Sequence, residues 1–280
     1  MYAVILAGGS GTRQHALGPE HEPTPFRATA DGRSVLARIG ARLAPLVDPF
    51  DVVVVTDRRL GQQVRDELPD ARILVEPMNR NTAAALALAT VAIGRPDDEA
   101  MLVVCADHEI DRDDAFRAAI ETVEREIVAG GAPGVDRPLV VFGVRPTAAD
   151  PGFSWLQPRH DDGVRAGDLR VLPVGLLEPN PVEGRTRELY ESGTASWAAG
   201  IFLWQRGAIR DAIERYTPLL TLLEPAHGSE LALRAAYDRL LAVSIDEAIL
   251  AGAARDGSVL TVTLDVGWRE VGPDPVAGPS

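Results

Sequence analysis

Five short runs of almost unbroken apolar residues, set between helix-patterned segments, constrain this chain more than any other feature. "YAVILAG" (2–8), "DVVVVTD" (51–57), "ARILVEP" (71–77), "AMLVVCAD" (100–107) and "PLVVFGV" (138–144) lack the alternation of a half-exposed strand. Such runs suit strands covered on both faces, as in parallel sheets. Between them lie amphipathic stretches at 34–47, 58–68, 81–94 and 113–130. The alternation predicts an α/β fold, a mainly parallel central sheet flanked by helices. After residue 145 the pattern predicts shorter strands, a loop over 159–168, and a helical region from 207–216 to 248–257. One domain is expected over residues 1–272, with 273–280 read as a disordered tail. No internal repeat is evident.

With 280 residues, 46% of them hydrophobic, the chain can bury a full core. No apolar run approaches the ~18 residues that a membrane helix needs. Met1 leads straight into the first strand with no basic region before it, so a cytoplasmic protein without membrane partners is expected. The single cysteine, Cys105, lies in an apolar run and reads as a buried, inert thiol. The net charge of −13 disfavours a nucleic-acid partner. All 28 basic residues are arginine. Any phosphate bound here is therefore held by guanidinium groups, backbone amides, helix N-termini or a metal.

Directly after the first strand comes "LAGGSGTR" (6–13), with glycines 8, 9 and 11. Without Cβ atoms these residues let backbone N–H groups close around an anion, and Thr12 and Arg13 can add a hydroxyl and a guanidinium. No Lys-Ser/Thr pair follows at Walker A spacing, and Gln14 stands where a dinucleotide fingerprint needs its third glycine. A tight strand-to-helix turn is the alternative reading.

"LAGGSGTR" resembles the start of the sugar-1-phosphate nucleotidyltransferases, and six later segments are similar to the mannose-1-phosphate guanylyltransferase branch of that family. They are "EPMNRNTAAA" (76–85), "CADHEIDRDDAF" (105–116), "PTAADPGFSWLQ" (146–157), "SGTASWAAGIFLW" (192–204), "SIDEAIL" (244–250) and "WREVG" (268–272). The resemblance implies the Rossmann-like nucleotide-diphospho-sugar transferase fold. The chain ends where longer relatives continue into a left-handed β-helix, so none is expected here. The implied reaction joins a nucleoside monophosphate, GMP from GTP in this branch, to a sugar 1-phosphate with release of pyrophosphate and help from Mg²⁺.

Carried onto these positions, the resemblance makes Asp107 and Glu270 the metal ligands, Glu270 standing where an aspartate is usual. It makes Leu6, Ala7, Gly8, Gly9, Gly11, Thr12, Arg80, Asn81 and Thr82 the nucleotide site, and Gly152, Glu178, Trp197 and Gly200 the sugar side. Arg13 and Asp107 become catalytic candidates. Plainer roles remain open: Asn81 as a helix N-cap, Asp107 as a cap or loop acceptor. A homodimer is left open.

The departures matter equally. The lysine that lies against the triphosphate in the family falls on Thr24, and the one that meets the sugar phosphate falls on Pro179. Ala198 and Glu247 replace an asparagine and a tyrosine. Stabilisation of this kind is worth roughly 3 kcal/mol per group, so uncompensated loss of both cations would slow the reaction by about four orders of magnitude. Arg27, three residues after Thr24, is the candidate replacement. Three readings follow: a divergent nucleotidyltransferase, a catalytically weak nucleotide or nucleotide-sugar binder, or another transfer reaction on the same fold.

Overall fold

The structure is a computed structural model that describes residues 1–8, 22–132 and 134–271. The five apolar runs form β1 (Tyr2–Ala7), β2 (Val52–Asp57), β3 (Arg72–Glu76), β4 (Ala100–Cys105) and β6 (Leu139–Val144), with β5 (His108–Glu109) a two-residue strand between the last two. Later come β7 (Trp155–Pro158), β8 (Val164–Ala166), β9 (Leu169–Glu178), β10 (Ser196–Gln205), β11 (Val259–Leu264) and β12 (Arg269–Glu270). Ten strands make one sheet, in the order β3-β2-β1-β4-β10-β6-β11-β9-β7 with β8 beside β9. The first four are parallel, and β10 lies antiparallel between β4 and β6.

The lack of alternation in β1 has a direct cause. Tyr2, Val4 and Leu6 face one hydrophobic core while Ala3, Ile5 and Ala7 face a second on the other side of the sheet. Helix α1 (Val35–Leu43) covers the second core, starting where Ser34 Oγ accepts from Ala37 N at 2.9 Å. The helix α2 (Gly61–Glu67) follows β2, and α3 (Asn81–Ala92) follows β3. Apolar on nearly every side, α3 is buried against the first core. The helix α4 (Asp113–Val123) runs into a π-helical turn at Glu124–Val128. Later in the chain come α5 (Glu183–Ser192), α6 (Arg206–Tyr216), α7 (Leu219–Leu223), α8 (Glu230–Asp238) and α9 (Ala251–Arg255).

The second half departs from the sequence reading in two places. The strands β9 and β10 are ten residues each, the longest in the molecule among the described residues, where shorter strands were expected. Pro173 and Gly175 in β9 and Gly200 in β10 interrupt the apolar runs, yet the ladders continue past them through bulges and irregular pairing. The expected loop at 159–168 is a short turn at His160–Asp162 followed by β8, which pairs with β9 as a hairpin. The 273–280 segment lies outside the described residues.

Chain order places the site. From β1 the chain moves outward to β2 and β3, then returns to lay β4 on the other side of β1. The carboxyl ends of β1 and β4 therefore border a topological switch point, where open α/β sheets bind ligands.

Candidate active site

At that switch point the end of β1 is firmly held. Leu6 O accepts from Ala106 N at 3.0 Å, and Ala7 O accepts from Thr56 Oγ1 at 2.8 Å. Gly8, exposed, follows at once, and a Cβ built there would meet nothing within 4 Å among the described residues. The strand thus delivers backbone to an open cleft edge. Gly9, Gly11, Thr12 and Arg13 lie outside the described residues. Thr24 and Phe26 are buried in a 3₁₀ turn whose Phe26 joins the second core, and Arg27, half-buried, ends that turn by donating its N–H to Thr24 O at 3.2 Å.

The backbone segments that carry Asp107 and Glu270, the residues implied as metal ligands, are brought together. Asp107 lies in the turn between β4 and β5, and Val271 N donates to Asp107 O at 2.8 Å. The short strands β5 and β12 then pair antiparallel, Glu270 opposite His108 and Arg269 opposite Glu109. Asp107 has an exposed side chain and a neighbour in His108, whose Nδ1 lies 3.2 Å from Asp107 Oδ1. Arg269 bridges Glu109 and Asp111 at 2.5 Å each, and these bonds raise its pKa. Among the described residues no group of three or more His, Cys, Asp or Glu side chains could hold an ion. By donor type, two carboxylates on adjoining backbone segments nonetheless suit Mg²⁺, which usually takes one or two protein carboxylates and fills its shell with phosphate oxygens and water.

On the nucleotide side, Asn81 is the first residue of α3 at φ +65°, and its Oδ1 accepts from the adjacent Thr82 N at 2.7 Å; Arg80 holds the N-cap position and no side chain caps the helix, so Asn81 does not take the capping role open to it from sequence. Thr82 Oγ1 accepts from Ile245 N at 2.9 Å, and Arg80 Nε donates to Tyr237 O at 2.8 Å. The segment therefore sits at the start of α3 with its side chains tied to α8 and to residues 243–245. Nearby Glu76 is buried, and burial pushes its carboxyl up to about 8 while the Tyr237 hydroxyl, 3.2 Å away, works in the opposite direction.

On the sugar side, Gly200 sits in the bulge of β10 with φ +69°, where a Cβ would lie 3.2 Å from Cys105 Cβ and 3.3 Å from its Sγ. Only glycine meets both demands. Cys105 is held under this bulge, its thiol pushed far up by burial, as an inert thiol requires. Trp197 is buried and stacks on Phe153 at 4.2 Å, and Phe153 meets Trp268 edge-on at 5.9 Å. Gly152 N donates to Asp150 Oδ1 at 2.7 Å. Glu178, opposite Trp155 in the β7–β9 ladder, is gripped by Arg185 and Gln157.

Sequence reasoning missed Arg185, Gln157, His108 and the buried Asp246. Asp246 Oδ2 accepts from Ser154 Oγ at 2.7 Å, while burial raises its pKa and its Oδ1 has no partner among the described residues. Their only signal was position: His108 and Asp246 lie inside quoted motifs, and Arg185 follows Glu178 by seven residues.

These features define an α/β fold with a mostly parallel central sheet and carboxylate residues gathered near its switch point. The chain belongs to the nucleotidyl transferase family, whose model matches residues 2–144. It is 29% identical over 285 residues to mannose-1-phosphate guanylyltransferase of Escherichia coli (strain K12), covering 97% of this chain and 58% of that protein. It is 29% identical to the alginate biosynthesis protein AlgA of Pseudomonas aeruginosa, over 97% of this chain and 56% of the relative. The chain thus spans little more than half the length of these curated relatives. A crystal structure described as mannose-1-phosphate geranyltransferase from Thermus thermophilus superposes with a TM-score of 0.79 at 27% identity, over 96% of this chain and 76% of that one. No helix among the described residues is long and apolar enough to cross a membrane.

Proposed function

We propose that the chain transfers a nucleoside monophosphate, GMP from GTP in first place, to a sugar 1-phosphate and releases pyrophosphate. The observation that carries this reading is the pairing of β5 with β12, which, with the bond from Val271 N to Asp107 O, lays the backbones of Asp107 and Glu270, far apart in sequence, side by side next to β4, the neighbour of β1. The similarity to mannose-1-phosphate guanylyltransferase over nearly the whole chain supports the choice of base and of sugar 1-phosphate.

In the proposed reaction a phosphate oxygen of the sugar 1-phosphate attacks the α-phosphorus of the triphosphate. The bond to the bridging oxygen breaks, and pyrophosphate leaves with the electron pair. Asp107 and Glu270 would hold Mg²⁺, whose charge would offset that of the crowded phosphate oxygens. Gly8 lets the triphosphate approach the end of β1 without a side chain between. Asn81 and Thr82 border the nucleoside at the start of α3. Arg27 supplies a positive charge near the position from which the family lysine is missing. Glu178 accepts a sugar hydroxyl, with Gly152, Trp197 and Gly200 shaping that half of the cleft.

A second reading, a nucleotide or nucleotide-sugar binder with little turnover, draws support from Thr24 and Pro179, which leave both lysine positions without an ammonium. A screen of pyrophosphate release separates the two, with the four nucleoside triphosphates offered against a panel of sugar 1-phosphates, with and without Mg²⁺. Release that needs both substrates and the metal supports the enzyme. Triphosphate binding without release from any pair supports the binder.

A further inference from the structure

We infer that Arg185 is the positioning residue of the sugar half-site: it fixes the Glu178 carboxylate by one oxygen and cancels its charge so that an anionic sugar phosphate can approach. The inference rests on the proposed function, in which Glu178 faces the sugar. Three donors converge on Glu178 Oε1: Gln157 Nε2 at 2.5 Å, Arg185 Nη2 at 2.6 Å and Arg185 Nε at 3.0 Å. Among the described residues, Oε2 receives only the long arm of the same Nε, at 3.1 Å. One carboxylate oxygen is thus occupied by the protein and the other keeps accepting capacity for a hydroxyl.

The charge argument is independent of the geometry. A sugar 1-phosphate is an anion, and a lone carboxylate where its hydroxyls bind would repel it. The residue after Glu178 is Pro179 and the chain has no lysine, so the balancing charge has to come from elsewhere. Arg185 supplies it from α5, the helix that starts five residues beyond Glu178. The guanidinium also reaches Gln157 Oε1 at 3.2 Å, which turns the Gln157 amide so that its Nε2 faces Glu178. The remaining bond, Nη1 to Glu188 at 2.9 Å, ends on an exposed carboxylate and contributes little. A planar grip by two nitrogens of one side chain is specific to arginine, so lysine at 185 would restore the charge without the geometry.

The test uses the full chain and α-D-mannose 1-phosphate. Its dissociation constant is measured by calorimetry, and that of GTP in parallel, for wild type, Arg185→Met, Arg185→Lys and the double variant Glu178→Gln/Arg185→Met. Arg185→Met is expected to weaken mannose 1-phosphate about tenfold or more, with Arg185→Lys intermediate and GTP affinity within about twofold of wild type. The double variant should recover part of the loss, because it removes the uncompensated negative charge. Should Arg185→Met lose its native circular dichroism, Arg185→Lys alone decides by the same split between the two ligands. Unchanged mannose 1-phosphate affinity, equal loss of both affinities, or no wild-type binding at millimolar concentration overturns the inference. Pyrophosphate release is read separately, so binding without turnover would overturn the proposed reaction and leave this inference standing.

Discussion

Asp107 shows what a single side chain contributes here. It is exposed at the cleft edge and packs against little, so Asp107→Ala should leave the melting temperature nearly unchanged while reducing Mg²⁺-dependent turnover by about a thousandfold or more. Scanning calorimetry beside a pyrophosphate assay checks both halves of that statement. Arg27 poses a different question, because it lies beside a position where Thr24 has replaced an ammonium. If Arg27 has taken over the phosphate contact, Arg27→Ala should cut turnover sharply, and an Arg27→Ala variant with wild-type rates would contradict that role. The reverse exchange, Thr24→Lys, meets an obstacle that sequence did not reveal. Thr24 is only 6% exposed, so a lysine there would have to carry its charge out of the core or lose stability.

At the scale of elements, the bulge of β10 and the buried end of β3 make separate predictions. Gly200→Ala adds a methyl group at φ +69° against Cys105, and should lower stability by about 1–3 kcal/mol in a denaturant titration. At the end of β3, the Glu76 carboxyl is raised to about 8 by burial. The folded state therefore keeps a proton that the unfolded chain releases near pH 4.5. This contribution to stability is complete below that pH, declines as pH rises toward 8 and is gone above it. Glu76→Gln removes the dependence: its melting temperature should match wild type near pH 5 and exceed it by about 3 °C or more at pH 8.5. Equal pH dependence in the two proteins would contradict the assignment. These elements also mark the limit of what sequence disclosed. Strands β1 to β4 and β6 were legible because burial on both faces writes itself as an apolar run. By contrast β9 and β10 were concealed by Pro173, Gly175 and Gly200, residues that a ladder accommodates but a local pattern counts as breaks. The pair β5 and β12 could not be read at all, since two residues carry no periodicity and their pairing is a fact of tertiary structure.

For the whole molecule, the order of strands converts separate motifs into one cleft. The crossover that sets β4 beside β1 ties Ala106, the residue before Asp107, to Leu6, and the return of the chain after β11 brings Glu270 opposite His108. The resemblance pointed to Asp107, Glu270 and Glu178 as candidates from sequence. The grip of Arg185 on Glu178, and the tie between Thr82 and Ile245, depend on which helix ends where, which no motif encodes. The central claim is transfer of the α-phosphate, and isotopic tracing tests it most directly. GTP labelled at its α-phosphorus is incubated with a sugar 1-phosphate, Mg²⁺ and the full chain, and the products are separated. The account predicts label in a nucleoside diphosphate sugar, with unlabelled pyrophosphate released in equal amount. Label that stays in GTP, across every sugar 1-phosphate offered and at protein concentrations that bind the nucleotide, would contradict it.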